Sequence, residues 1–157
     1  MVSISGVTSS PAPLCFGVPQ GSVLGPTLFV LYNSPLHSII RQHGLSAHYF
    51  ADDTQIYTEF EISKDGAHQI EAYRRIKCCT EDTKTWMFEN KLKLNEDKTD
   101  ALLISSSHPS KKLLPLSLSI GDQKIVPADS VRNLGMILDS HLTLELHVKK
   151  VCTVQIG

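Results

Sequence analysis

The first forty residues contain no Asp, Glu, Lys or Arg, and Arg41 is the first formally charged side chain. A free-standing domain rarely begins with so long an uncharged stretch, because its opening segment normally needs solvation. That stretch is therefore expected to be an interior piece of a larger fold. Long hydrophobic runs are missing as well. The longest purely apolar run, Leu28 to Tyr32, is far short of the roughly 20 residues a membrane helix needs, so no membrane partner is expected. No cationic stretch precedes it and Asn33-Ser34-Pro35 follow, which argues against a signal peptide. Nor is there an excess of charge: 15 Lys and Arg face 16 Asp and Glu, for a net charge of −1. The basic footprint of a general nucleic-acid binder is absent, and any phosphate binding must be local. Cys15, Cys78, Cys79 and Cys152 form no Cys-x-x-Cys pair, which leaves no zinc framework and no disulfide scaffold. They read as reduced intracellular thiols. The seven histidines show no metal-ligand spacing, and no repeat or low-complexity tract appears.

With 41% hydrophobic and 20% charged residues, 157 residues suffice for one core. Charge is uneven along the chain. Residues 42–73 are acidic, carrying Asp52, Asp53, Glu59, Glu61, Asp65 and Glu71 against Lys64. The cations gather in 74–98, as Arg74, Arg75, Lys77, Lys84, Lys91, Lys93 and Lys98. Val2–Ser5 and Pro13–Phe16 are expected as short strands around a Gly6–Pro11 turn, followed by a Gly- and Pro-dense loop, Gly17–Gly25. Pro26 suits the first turn of a helix running to about Asn33, with Pro35 kinking or restarting it, Ser34 as the new N-cap, and an end near Gly44. Strand alternation in Thr54–Phe60 and the preceding Ala47–Ala51 predict a hairpin about Asp52-Asp53. Ala67, Ile70, Tyr73, Ile76, Cys79 and Trp86 have helical spacing over 66–90. Leu92–Leu94 and Ala101–Ile104 flank a polar turn, and Ser106–Pro115 reads as a flexible linker. Gly121-Asp122 turns a hairpin between Leu116–Ile120 and Gln123–Val126. Val131–Leu138 reads as one further strand and Leu142–Val154 as the start of a helix. The order predicts an α+β fold with a mixed or antiparallel sheet.

Two segments carry chemistry. Asp52-Asp53 places two carboxylates side by side at a hairpin tip, where a cation relieves their repulsion. Mg²⁺ or Mn²⁺ suits such a site, since Mg²⁺ takes one or two carboxylates and completes its shell with water and substrate phosphate. A solvated Asp-Asp turn is the plainer reading of that pair alone. Gly17-Val18-Pro19-Gln20-Gly21-Ser22-Val23-Leu24-Gly25-Pro26 is the second. Its glycines permit positive φ and close approach of a ligand, Gln20 and Ser22 offer hydrogen bonds, and it leads into a helix N-terminus. The Gly-Lys-Ser/Thr ending of a P-loop is absent.

Gly17–Pro26 followed by Phe50-Ala51-Asp52-Asp53 resembles the reverse transcriptases of non-LTR (LINE-type) retrotransposons. The resemblance continues through Thr54-Gln55-Ile56-Tyr57, Trp86-Met87, Asn90–Asn95, Lys98-Thr99 and Asn133–Asp139. It extends from about Val2 to Val151, with Phe50 in place of the family's usual Tyr. It implies a right-hand polymerase: residues 1–105 a partial palm, 106–115 a linker, 116–157 the primer-grip hairpin region and the start of a thumb. It implies two-metal nucleotidyl transfer with an RNA template, a DNA primer and a dNTP. Asp52 would be the main metal-binding carboxylate with Asp53 beside it, and Phe50 would pack close to the nucleotide. Gln20, Gly21 and Ser22 would lie along nucleotide and template, Lys98 near the leaving phosphates, and Leu134 and Gly135 in the primer grip. The family's setting is intracellular, the nucleus included.

The family draws another aspartate from a strand upstream of the Gly17–Pro26 block. Only 19 residues precede Gln20 and none is acidic. The chain is therefore expected to lack that carboxylate, the fingers and most of the thumb, and to need the N-terminal half of the polymerase for catalysis. The alternative is a co-opted or decayed, non-catalytic remnant whose basic 74–98 segment contacts nucleic acid. A different metal phosphotransferase is disfavoured by the Gly17–Pro26 block.

Overall fold

In the computed structural model, residues 3–4, 6–10, 17–18, 21–105, 113–121 and 123–154 are described. Their elements run β1 (Ser3–Ile4), β2 (Val7–Thr8), α1 (Gly25–Gln42), β3 (Ser46–Phe50), β4 (Asp53–Tyr57), α2 (Ala67–Glu89), a 3-10 turn (Glu96–Lys98), β5 (Leu118–Ile120), β6 (Gln123–Ile125), β7 (Ser130–Asn133), β8 (Met136–Asp139) and α3 (Glu145–Val154). The expected strand at Pro13–Phe16 lies outside the described residues, as do residues 106–112 of the expected linker. No described helix is long and apolar enough to cross a membrane.

The α+β class is as expected, but the described strands do not form one mixed sheet. They pair as four separate antiparallel ribbons, β1–β2, β3–β4, β5–β6 and β7–β8. Each ribbon closes locally on a short turn, so pairing is satisfied between sequence neighbours. The one parallel pairing described is an isolated bridge, Leu102 to Ala128. Leu92–Leu94 and Ala101–Ile104 accordingly form no strand of their own, and the polar turn between them is the 3-10 turn.

The helix expected to break at Pro35 is continuous over Gly25–Gln42. Proline at 35 removes the N–H that would bond the Leu31 carbonyl. Ser34 Oγ donates to that same oxygen at 2.8 Å, so Ser34 repairs the helix rather than capping a new one. α1 and α2 pack antiparallel. Tyr32 Oη donates to the Asn90 carbonyl at 2.6 Å at one end, and Arg75 Nε donates to the His43 carbonyl at 2.8 Å at the other. Arg75 Nη2 also donates to the Gly44 carbonyl, so one guanidinium closes the C-terminus of α1.

α2 matches its expected span, but its buried face differs. Gln69, Ala72, Cys79, Thr80 and Thr83 are buried, while Ile70 is half exposed. The reason is a long-range polar contact. The Gln69 carboxamide donates to the Leu114 carbonyl and accepts from the Leu114 N–H, both at 2.9 Å, so a glutamine acts as a strand partner for the 113–117 segment. The core is small: Ile40, Leu45 and Cys79, with Ala47, Ile56 and Ile76 packed against it. Burial pushes the Cys79 thiol pKa up, in keeping with an inert structural cysteine.

Val131–Leu138 is not one strand. It folds into β7 and β8 at Leu134-Gly135, both at positive φ (46° and 88°), with Asn133 paired to Met136. Positive φ at both central positions is the twist of a hairpin turn, and the apolar run concealed it. Asp139 then organises the start of α3. Its carboxylate accepts from the N–H groups of His141, Thr143 and Leu144 and from Thr143 Oγ1, at 2.8–3.0 Å.

Candidate active site

The β3–β4 ribbon is in register Phe50–Asp53, Tyr49–Thr54, His48–Gln55, Ala47–Ile56 and Ser46–Tyr57. Side chains alternate between faces along a strand. Ala47 and Ile56 enter the core, and Tyr49 meets His37 of α1 with ring centroids 6.3 Å apart. That face is turned to the helices. Phe50, His48, Asp53, Gln55 and Tyr57 therefore share the opposite face, where His48 and Tyr57 stack at 5.1 Å and bond through Nε2 and Oη at 3.1 Å.

Only Asp52 of the two carboxylates lies in the turn; Asp53 is the first residue of β4 and pairs with Phe50. The other turn residue, Ala51, takes φ +54°. A left-handed non-glycine residue costs about 1–2 kcal/mol, which is strain stored at the tip. Asp52, Asp53 and Phe50 are all exposed. Neither carboxylate makes an ion pair or accepts a side-chain hydrogen bond among the described residues, so their lone pairs are open to an outside partner. No group of three or more metal-ligating side chains occurs among the described residues. As a donor set, two adjacent hard-oxygen ligands fit a divalent cation that takes the rest of its shell from water and phosphate.

The other expected residues are placed as follows. Gln20 lies outside the described residues. Gly21 (φ 86°) and Ser22 belong to the loop before α1, where the Ser22 carbonyl accepts from Gly25 N–H at 3.2 Å. No hydrogen bond joins this loop to the Asp52 turn among the described residues; α1 connects them, beginning at the loop and packing later on β3. Leu134 and Gly135 form the β7–β8 turn, and Leu134 is half exposed there. Lys98 ends the 3-10 turn, exposed, with no side-chain bond to the hairpin among the described residues.

One contact was not foreseen. Gln55 Nε2 donates to Asn133 Oδ1 at 2.8 Å, tying β4 to the end of β7 across 78 residues. Alternation puts Gln55 on the face of Asp53, but nothing local points to Asn133 as its partner. The basic 74–98 segment is largely spent internally. Arg74 pairs with Glu71 at 2.6 Å, Lys84 with Glu96 at 2.5 Å and Lys77 with Glu81 at 3.9 Å, while Arg75 closes α1.

Residues 1–138 match the family model for reverse transcriptase (RNA-dependent DNA polymerase). The chain belongs to the reverse transcriptase family. It is part of a reverse transcriptase domain of the LINE type. Its relatives include three Drosophila melanogaster proteins. The RNA-directed DNA polymerase from mobile element jockey is 27% identical over 156 residues, covering 96% of this chain and 16% of the relative. The probable RNA-directed DNA polymerase from transposon BS is 29% identical over 157 residues, covering 95% and 16%. The probable RNA-directed DNA polymerase from transposon X-element is 29% identical over 143 residues, covering 87% and 14%. The chain thus spans a small part of each. No solved structure matches it.

Proposed function

We propose that this chain supplies the metal- and primer-binding part of a polymerase palm, working with an N-terminal half that carries a further aspartate and the fingers. In this reading 1–105 is palm, 106–115 a linker, and 116–157 the primer grip and the start of a thumb. The observation that carries it is the β3–β4 tip: Asp52, Asp53 and Phe50 exposed together, beyond the face buried on α1. Asp52 and Asp53 would hold Mg²⁺ or Mn²⁺, which would supply charge neutralisation for the attacking hydroxyl and the leaving pyrophosphate. Phe50 packs against the nucleotide, while Gln20, Gly21 and Ser22 run along nucleotide and template. Leu134 and Gly135 hold the primer end; an exposed leucine on a strained turn favours contact with a partner over burial. The primer 3′-hydroxyl loses its proton to water as its oxygen attacks the α-phosphorus of the dNTP, the bond to pyrophosphate breaks, and the Lys98 ammonium gives a proton to the departing pyrophosphate and regains one from solvent. The RNA template, DNA primer and dNTP follow from the family.

Alone, two carboxylates position metal and substrates poorly, and positioning supplies much of the rate in phosphoryl transfer. The isolated chain is expected not to extend a primer with Mg²⁺ or Mn²⁺. Template-dependent synthesis by this chain that disappears in Asp52→Ala would overturn that expectation. Within a polymerase that also carries the further aspartate and the fingers, the same substitution is expected to abolish extension and Lys98→Ala to slow it.

A further inference from the structure

We propose that the Gln55–Asn133 side-chain pair is a positioning device, holding the Leu134–Gly135 turn in a fixed place relative to the carboxylates of the β3–β4 tip. The inference rests on the reading of these two turns as metal and primer sites, and it names the residues that set their separation. Gln55 stands two residues beyond Asp53 on the same strand and on the same face. Asn133 is the last residue of β7, immediately before the turn. Their 2.8 Å bond is half buried, and it starts and ends next to the two functional tips.

Backbone bonds hold the flanks of β7–β8 to residues 101–105, from Ala128 N–H to the Ala101 carbonyl at 2.9 Å and from Ser105 N–H to the Ser140 carbonyl at 3.0 Å, but none described reaches β3–β4. β3–β4 and β7–β8 are separate ribbons with no strand pairing between them. Apolar packing brings ribbons together without choosing a direction, whereas a hydrogen bond requires both distance and angle. Among the described residues the pair is the hydrogen bond that joins the two ribbons directly, and it fixes how far Leu134 and Gly135 stand from Asp52 and Asp53. In a transfer reaction a misplacement of about 1 Å can cost on the order of 10²-fold in rate. In this reading Gln55 and Asn133 are positioning residues that act through the two turns.

Residual dipolar couplings of the backbone amides of this chain test the device directly. In the unaltered protein, residues 46–57 and 130–139 are expected to fit one alignment tensor. Gln55→Leu and Asn133→Leu are each expected to leave both hairpins internally intact while the two require separate tensors. Exchanging the amides, Gln55→Asn with Asn133→Gln, keeps the total side-chain length and is expected to restore the single tensor; a general loss of stability would not be rescued in this way. Separate tensors in the unaltered protein, one tensor in both leucine variants, or failure of the exchanged pair would each overturn the proposal. Mn²⁺ titration supplies an independent arm. Broadening at 51–54 that extends to 134–135, and no longer reaches them in Gln55→Leu, supports the device. Absence of broadening at 51–54 refutes the metal reading, and the couplings still decide the positioning.

Discussion

Asp139 carries more of the C-terminal region than its single carboxylate would indicate. The Thr143 N–H foremost, then the N–H of Leu144, the Thr143 hydroxyl and the N–H of His141, hold its pKa down to about 2. A free aspartate titrates near about 3.9. The folded state therefore favours the ionised form. That contribution is complete above the free value and is lost as pH falls through about 2. Amide shifts of His141, Thr143 and Leu144 are expected to titrate together with a midpoint near 2. Asp139→Asn is expected to abolish that transition and loosen the first turn of α3; a midpoint near 4 in the unaltered chain would refute the network. Gly66 is a second single-residue constraint. It sits at φ +70° before α2, and a Cβ there would overlap Leu114 Cδ1. Gly66→Ala is expected to cost at least about 1–2 kcal/mol from the left-handed backbone alone, measured by urea unfolding. A loss below about 0.5 kcal/mol would mean that residue 66 does not hold the left-handed conformation. The turn at Asp52 was legible in the sequence because alternation and turn chemistry are local. The Gln69 contact was not, because its partner lies 45 residues on.

At the scale of the element, α1 tests how a helix tolerates an internal proline. Sequence rules predict a break at Pro35, yet the chain answers with a hydroxyl one residue earlier. With Pro35 present, Ser34→Ala is expected to cost about 0.5–1 kcal/mol, the range of an exposed neutral hydrogen bond. Pro35→Ala restores the backbone N–H and is expected to stabilise by roughly 1–3 kcal/mol. Ser34→Ala in that background is expected to be nearly neutral. A double-mutant cycle by denaturant unfolding measures the coupling; equal effects of Ser34→Ala in both backgrounds would refute the repair. The β7–β8 hairpin makes a related point. Val131–Leu138 reads as a strand because leucine is a poor turn signal, and only the pairing of Asn133 with Met136 places Leu134 at positive φ. Pattern rules describe what a side chain prefers, and here cross-strand pairing outweighs about 1–2 kcal/mol of that preference.

At the scale of the whole molecule, the balance of apolar surface is unusual. Few residues form the core, while Val23, Leu24, Leu28, Val30 and Leu31 on or beside α1 remain 46–92% exposed. Contiguous apolar surface of this kind favours association. The purified chain is expected to self-associate in light scattering, and Leu28→Glu with Leu31→Glu to reduce association while helicity is kept. A monodisperse monomer with strong hydrogen-exchange protection across 23–33 would contradict this and would make the N-terminal half of the polymerase unnecessary for folding. The sequence by itself determined the family, the hairpin that carries Asp52 and Asp53, the span of α2, and the uncharged N-terminal stretch whose apolar side chains α1 leaves exposed. All of these depend on neighbours within a few residues or on a motif's order along the chain. Only the tertiary structure decided that α1 continues through Pro35, that the strands form separate ribbons, and that Gln69 is buried. It alone joined Gln55 to Asn133. Those outcomes turn on which polar groups and faces meet across tens of residues, and a directional hydrogen bond between distant side chains leaves no periodic trace in the sequence.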